Sequence, residues 1–265
     1  MTVNVRQGGV WYEAAPHVKQ GGVWYECQEV WNKQAGVWEQ SFANVQTYTS
    51  TGTRTNVNIF ADFGSPTEAG DFIWINNGDC RSGGSTYAVQ TGTFPSGSTL
   101  TIINNGYIRG RGGKGGNCAT QSASSGSPGQ TALTCGYSCT IDNTNGYIYG
   151  GGGGGGGASD VVGKGIYYNC AGGGGAGSNA GAGGTRSGTG DNGDAGSLTG
   201  GGAGGYYSSR YGGAGGGLGA SGATAPSHNS YRGSGGAAGK AIAKNGKTVT
   251  ITAGNNSTQV KGAVS

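Results

Sequence analysis

Few residues in this chain have the types and spacing that bond-making chemistry needs. The two histidines, His17 and His228, fall in compositionally different zones, so no Ser/His/Asp arrangement can be placed. Asp191 and Asp194 could act as an acid/base pair, but their spacing follows a glycine phase, and solvated surface is the better reading. GxGxxG strings recur, yet with 64 glycines in 265 residues they carry no weight. A phosphate loop needs Gly-Lys-Ser/Thr, whereas Lys114, Lys164 and Lys240 precede Gly, Gly and Ala. The six cysteines, Cys27, Cys80, Cys118, Cys135, Cys139 and Cys170, lack CxxC pairs and nearby histidine, so no zinc site is written. Cys135 with Cys139, and Cys118 with Cys170, could each bridge a loop; free thiols are the other reading. The expectation is a protein that is not an enzyme and holds neither cofactor nor metal.

Binding chemistry is better represented. Three inserts break the glycine monotony: 159–169 with Ile166, Tyr167 and Tyr168; 206–211 with Tyr206, Tyr207, Arg210 and Tyr211; and 228–232 with His228 and Tyr231. A fourth stretch, 178–189, is a further candidate. Tyr, Ser, Gly, Asn and Arg are the residues of adaptable binding loops, because Tyr offers a large contact area at low entropy cost. Some of these tyrosines could instead only cap the ends of the elements that carry them.

Those elements must be glycine-built. Residues 106–239 hold 48 of the 64 glycines, which recur at every third position in runs such as Gly110, Gly113, Gly116 and Gly190, Gly193, Gly196. A period of three belongs to the extended left-handed helix, which has no internal hydrogen bonds. Its amides must therefore find partners on neighbouring chains, and glycine at every third position permits that approach. The reading is a bundle of about six polyglycine II helices, in which a valine at Gly193 would clash with a neighbour. A flexible glycine-rich linker is the competing reading.

Outside that region the pattern is β. Val5–Glu13 recurs as Val18–Glu26, with a degraded third copy at Lys33–Glu39. Gly-Gly between β-prone runs signals a two-residue hairpin. Three hairpins are expected, presenting Trp11, Trp24 and Trp38, with Trp31 between them. They pack on one another or form a socket for another protein. Asn56–Phe63, Asp71–Ile75 and Thr99–Ile108 read as strands, and Lys244–Thr252 as a returning strand. Helical periodicity is absent. The fold class is mainly β and non-regular, in four parts: hairpin repeats over 1–40, a small β region over 41–107, the glycine bundle with protruding loops over 108–239, and a β tail over 240–265.

Composition narrows the rest. Leu, Ile, Val and Phe together are below the ~20% at which an ordinary core becomes doubtful, and five prolines exclude collagen. No apolar stretch reaches ~18 residues, and the first residues lack a signal-peptide core, so no membrane insertion is expected. A net charge of +4 is a weak footprint for nucleic acid, although Arg109-Gly110-Arg111-Gly112-Gly113 resembles an RGG box, which makes RNA binding the main rival. A structural or ice-binding glycine bundle is the second rival.

The stretch Thr101–Gly116, with its echo Thr140–Gly150 followed by Gly151–Gly157, resembles the entry into the glycine-rich domain of the receptor-recognising adhesins of T-even type phage tail fibres. The resemblance covers roughly 99–239. It implies a sandwich of polyglycine helices whose distal loops bind a bacterial outer-membrane protein, commonly a porin. By position those loops are 158–170, 206–211 and 223–232. A phage tail-fibre or tail-tip protein is the implied second partner, docked through residues 1–40 and the four tryptophans. No nucleic acid is implied. The implied setting is the virion, at the tip of a tail fibre or tail, after synthesis in the host cytoplasm, where cysteines stay reduced.

Overall fold

Asp71–Asn76 alternates half-buried and buried side chains, putting Phe72, Trp74 and Asn76 on one face. That face closes inward because the same pattern returns one turn later in Thr99–Asn104, with Phe72 beside Leu100 and Trp74 beside Ile102. In the computed structural model the described residues are 3–7, 10–14, 17–20, 23–26, 29–34, 37–43 and 45–265, apart from Ser85, Val162, Ser227 and His228. Through residue 43 the description covers strands and their pairing only.

Residues 45–109, 131–149 and 240–265 wind into a three-sided parallel β-helix. The first sheet stacks Val45–Ser50, Asp71–Asn76, Thr99–Asn104, Cys139–Asp142 and Val249–Ala253. The second stacks Thr53–Thr55, Asp79–Arg81, Tyr107–Arg109, Tyr147–Tyr149 and Val260–Lys261. The third stacks Val57–Asn58, Tyr87–Gln90, Thr131–Thr134 and Ile242–Ala243, with Val264 bridged to Ile242. Each rung contributes apolar residues to a shared interior. The second sheet stacks Cys80, Ile108 and Ile148; the third stacks Val57, Val89, Leu133 and Ile242. The scarce aliphatic residues are thus concentrated where burial contributes most, ~1.5–3 kcal/mol per large side chain.

A ladder of buried asparagines lines the corner between the first two sheets. Asn76 donates to Asn104 at 2.8 Å, Asn104 to Asn143 at 2.7 Å, and Asn143 to the Gly254 carbonyl at 3.0 Å. Next to it the chain turns on Gly78 and Gly106, where any Cβ would overlap the carbonyl of the rung below.

Two expectations need correction here. Asn56–Phe63 is not one strand: Val57–Asn58 is followed by a helical turn, Ile59–Asp62. That turn brings Asp62 to Arg54 at 2.6 Å and to the Trp74 indole N–H at 2.9 Å, and buries Ile59. The glycine-rich part expected over 108–239 is also discontinuous, because 131–149 supplies strands to all three sheets. Glycine segments are instead inserted at one corner of the β-helix, after Tyr107–Arg109 and after Tyr147–Tyr149.

The inserted segments contain ten extended runs rather than about six: 110–117, 124–130, 150–157, 171–177, 181–185, 191–196, 201–205, 212–216, 220–225 and 233–239. Successive amides of a run point to different neighbours and return to the same one every third residue. Gly151, Gly154 and Gly157 donate to 124–130; Gly152 and Gly155 to 171–177; Gly153 and Gly156 to 220–225. The carbonyls of 150–157 accept from 110–117, 212–219 and 233–239, so this run has six neighbours. Run 171–177 likewise donates to 110–117, 191–197 and 212–216, and accepts from 150–157, 181–185 and 201–205. These two runs are nearly all glycine because no face of either is free.

Before residue 44 the described strands pair antiparallel, two by two, with Arg6, Lys19 and Lys33 opposite Trp11, Trp24 and Trp38. Trp31 pairs with Gln40. The tryptophan side chains lie outside the described residues.

The lattice generates a sharp contrast between glycines. A methyl at Gly193 would overlap the Gly172 carbonyl, while one at Gly217 meets only the Thr199 carbonyl at 3.8 Å. Gly193→Ala should destabilise by about 2 kcal/mol or more, since overpacking against backbone cannot be relieved by a rotamer change. Gly217→Ala should stay within about 0.5 kcal/mol. Denaturant midpoints of the two variants check this, and equal midpoints would refute the lattice.

Candidate functional site

Every inserted run ends at one of two places. Turns 178–180 and 217–219 lie beside the β-helix: the Ser178 amide donates to the Gly110 carbonyl at 2.9 Å, Asn179 to the Ser82 carbonyl at 3.1 Å, and the Gly219 amide to Gly150 at 2.7 Å; turn 197–200 adjoins 178–180, the Gly177 amide donating to Ser197 at 3.1 Å. Segments 118–123, 158–161, 163–170, 185–191, 206–211 and 229–232 gather at the opposite end. There Ala158–Val161 pairs with Tyr167–Cys170 and with Tyr231–Arg232, and Tyr167–Cys170 pairs with Gly190–Asp191. Cys118 bridges to Arg186.

Most of the binding residues expected from sequence come together here. Tyr206 and Ile166 are each 52% exposed and Tyr211 45%, with Tyr207 and Tyr231 also exposed. The rings of Tyr206 and Tyr211 lie 4.8 Å apart, and Tyr168 meets Tyr207 edge-on at 5.0 Å. Tyr167 is half-buried and accepts a hydrogen bond from Gln121. His228 lies outside the described residues.

Arg210 is placed differently from its neighbours. Its guanidinium is paired with the buried Asp160 carboxylate instead of projecting with the tyrosines. Burial pushes the Asp160 carboxyl up, but hydrogen bonds from Ser230 and Arg210 outweigh burial and hold it below the usual carboxylate range. The carboxylate is therefore ionised at neutral pH.

Segment 178–189 divides: 178–180 sits beside the β-helix and only its later part reaches the exposed end. Sequence reasoning missed the small hairpin Cys118–Ala119 and Ser122–Ala123, whose turn places Gln121 at φ 59°. Its signal was a short non-glycine break, Asn117–Ser125, between two glycine runs.

Asp191 and Asp194 are exposed. Burial pushes the Cys118 thiol up to about 12, and that of Cys80 in the β-helix likewise, so both are neutral thiols at physiological pH. All five described cysteines are free. The RGG-like stretch has no loose arginine at its head: Arg109 is buried, ion-paired with Asp79 and packed 4.6 Å from the Tyr107 ring centre. No helix among the described residues is long and apolar enough to cross a membrane.

Comparison with known proteins identifies a family and a similar fold. The family described as Phage tail fibre adhesin Gp38 matches residues 32–264. One chain of the crystal structure of the gp37-gp38 adhesin tip complex of the bacteriophage S16 long tail fiber superposes with a TM-score of 0.57 at 25% identity, covering 85% of this chain and 84% of that one. No curated protein matches.

The hairpin carrying Tyr206 and Tyr211 turns on Ser208 and Ser209, at φ 47° and 65°. Two successive positive φ values define a turn that favours Asn-Gly, and non-glycine residues there cost ~1–2 kcal/mol each. Replacing Ser208-Ser209 by Asn-Gly should slow amide exchange at the flanking pair, Tyr207 and Arg210, by roughly fivefold, as ~1 kcal/mol requires. Unchanged protection at both amides would count against the strained turn.

Proposed function

The chain belongs to the Gp38 family of phage tail fibre adhesins, and from that premise we propose that it binds a bacterial outer-membrane protein, of porin type, through the tyrosine-rich end described above. One observation carries this reading. Five loops from distant parts of the sequence meet at one end of a glycine lattice and expose Ile166, Tyr206, Tyr207, Tyr211 and Tyr231 together. Aromatic side chains exposed in a group at the end of a rigid support are what an interface core requires. The glycine runs are read as polyglycine II helices, since each returns to the same neighbour every third residue. At ~3.1 Å per residue, run 150–157 spans about 25 Å and holds the loops that far from the β-helix.

A tail-fibre protein is the second proposed partner. The similar solved chain comes from a gp37-gp38 complex, which supports a fibre partner for this chain also. The hairpins with Trp11, Trp24, Trp31 and Trp38 are the proposed attachment, placing the protein at the fibre tip of the virion after synthesis in the host cytoplasm. Binding rather than catalysis is the function, without cofactor. Against RNA binding stand the ion-paired Arg109 and Arg210, the two arginines that head the RGG-like stretches.

Replacing Tyr206, Tyr207 and Tyr211 together by Ala should abolish attachment to cells of the phage's propagating strain. Thermal stability should change little, because these exposed rings contribute little to packing. Virion adsorption and unfolding temperature are the two readouts. Full adsorption by the triple variant would remove this hairpin from the receptor contact.

A further inference from the structure

The exposed tyrosines stand on loops that apolar packing cannot fix. Beneath them, among the described residues, the buried hydrophobic cluster is Ala158, Cys170 and Ala225. Three small side chains offer little area, so polar contacts must set how the loops lie relative to one another.

Those contacts converge on Asp160. Its side chain is 7% exposed and stands on Ala158–Val161. One carboxylate oxygen accepts the Nε–H of Arg210, from the 206–211 hairpin. The other accepts the Ser230 hydroxyl at 2.6 Å and the Ser230 amide at 3.1 Å, from the segment leading into Tyr231–Arg232. A single buried carboxylate thus joins segments 50 and 70 residues away in sequence. Around it the Cys170 thiol donates to the Arg210 carbonyl at 3.3 Å, and Asn229 donates to the Pro226 carbonyl at 3.0 Å.

We propose that Asp160 is the positioning residue of the receptor-binding surface. It fixes Tyr206, Tyr207, Tyr211 and Tyr231 in one arrangement without itself reaching the receptor. This rests on the adhesin reading above. Arg210 and Ser230 belong to the same unit, so the exposed side chains of these two loops can be exchanged for other specificities while Asp160, Arg210 and Ser230 keep the loops in place. The glycine runs below are held by backbone bonds that do not involve this carboxylate.

The test pairs amide hydrogen exchange with binding of fluorescently labelled full-length protein to whole cells of the propagating strain. Asp160→Asn should speed exchange in 206–211 and 229–232 by at least about tenfold, as the loss of charge-assisted bonds implies. Cell binding should weaken to a similar extent, while 150–157 and 171–177 exchange as in the parent chain. Ser230→Ala should give a smaller loss and Ser230→Thr should restore parental binding. Arg210→Gln should add nothing to Asp160→Asn, because the two residues act as one unit. Parental cell binding by Asp160→Asn would overturn the proposal, and so would exchange that quickens in the glycine runs as much as in the loops. If the parent chain itself does not bind cells, the adhesin reading fails instead, and the exchange data alone still decide whether Asp160 fixes the loops.

Discussion

Each buried backbone amide must have a partner, and in this protein that requirement governs the architecture more than side-chain packing does. A helix or a sheet meets it with one or two fixed neighbours. Runs 150–157 and 171–177 meet it with six each, three accepting their N–H groups and three donating to their carbonyls. Such crowding leaves no volume for a Cβ at the glycines of these runs, and only Ala171 and Ala176 interrupt them. The eight surrounding runs need glycine only where they face inward and carry Ala, Ser, Asp or Asn elsewhere, as at Ala182, Asp194 and Ser234. The three-residue phase in the sequence is therefore a record of which face of each run is occupied.

The β-helix satisfies the same requirement by conventional means, and the two parts share one ladder. The Gly110 amide continues beyond Tyr107–Arg109 to the Tyr149 carbonyl at 2.8 Å, and the Gly150 amide continues beyond Tyr147–Tyr149 to Lys261 at 2.8 Å. On the return path the Gln130 amide donates to Arg111 at 2.8 Å just before Thr131–Thr134 begins. Hydrogen bonding passes from sheet to lattice and back without an intervening linker.

What the sequence disclosed divides along physical lines. Glycine phase and two-residue hairpin signals are local, so the runs and the paired N-terminal strands could be read from composition and spacing. Rung stacking is not local. Val45, Asp71 and Thr99 open successive rungs, but the next two begin at Cys139 and Val249 because the inserted glycine runs intervene. The clue that did survive was Ile75-Asn76-Asn77-Gly78 repeated as Ile103-Asn104-Asn105-Gly106, one outward-facing isoleucine, one ladder asparagine and one corner glycine per rung. At the exposed end, residue type was a guide to the exposure of Tyr206, Tyr207, Tyr211 and Tyr231 but not to the internal pairing of Arg210. A charged residue in a binding-loop composition looks like a contact, and only the position of Asp160 reveals that its charge is spent internally.

That internal use of Arg210 bears on how the surface works. With Arg210 tied to Asp160, the large apolar side chains exposed at this end include Ile166, Tyr206, Tyr207, Tyr211 and Tyr231, and such groups offer shape and apolar area to a partner. Recognition of shape demands that the groups be held in register, and long flexible loops would lose that in conformational entropy on binding. Short segments tied to a lattice incur little of this cost. Because stability resides in backbone bonds below the loops, the exposed side chains are free to vary without weakening the fold, and the fold imposes almost nothing on what they recognise. The division of labour follows from chemistry: glycine supplies order without identity, and the loops supply identity on an order they did not have to create.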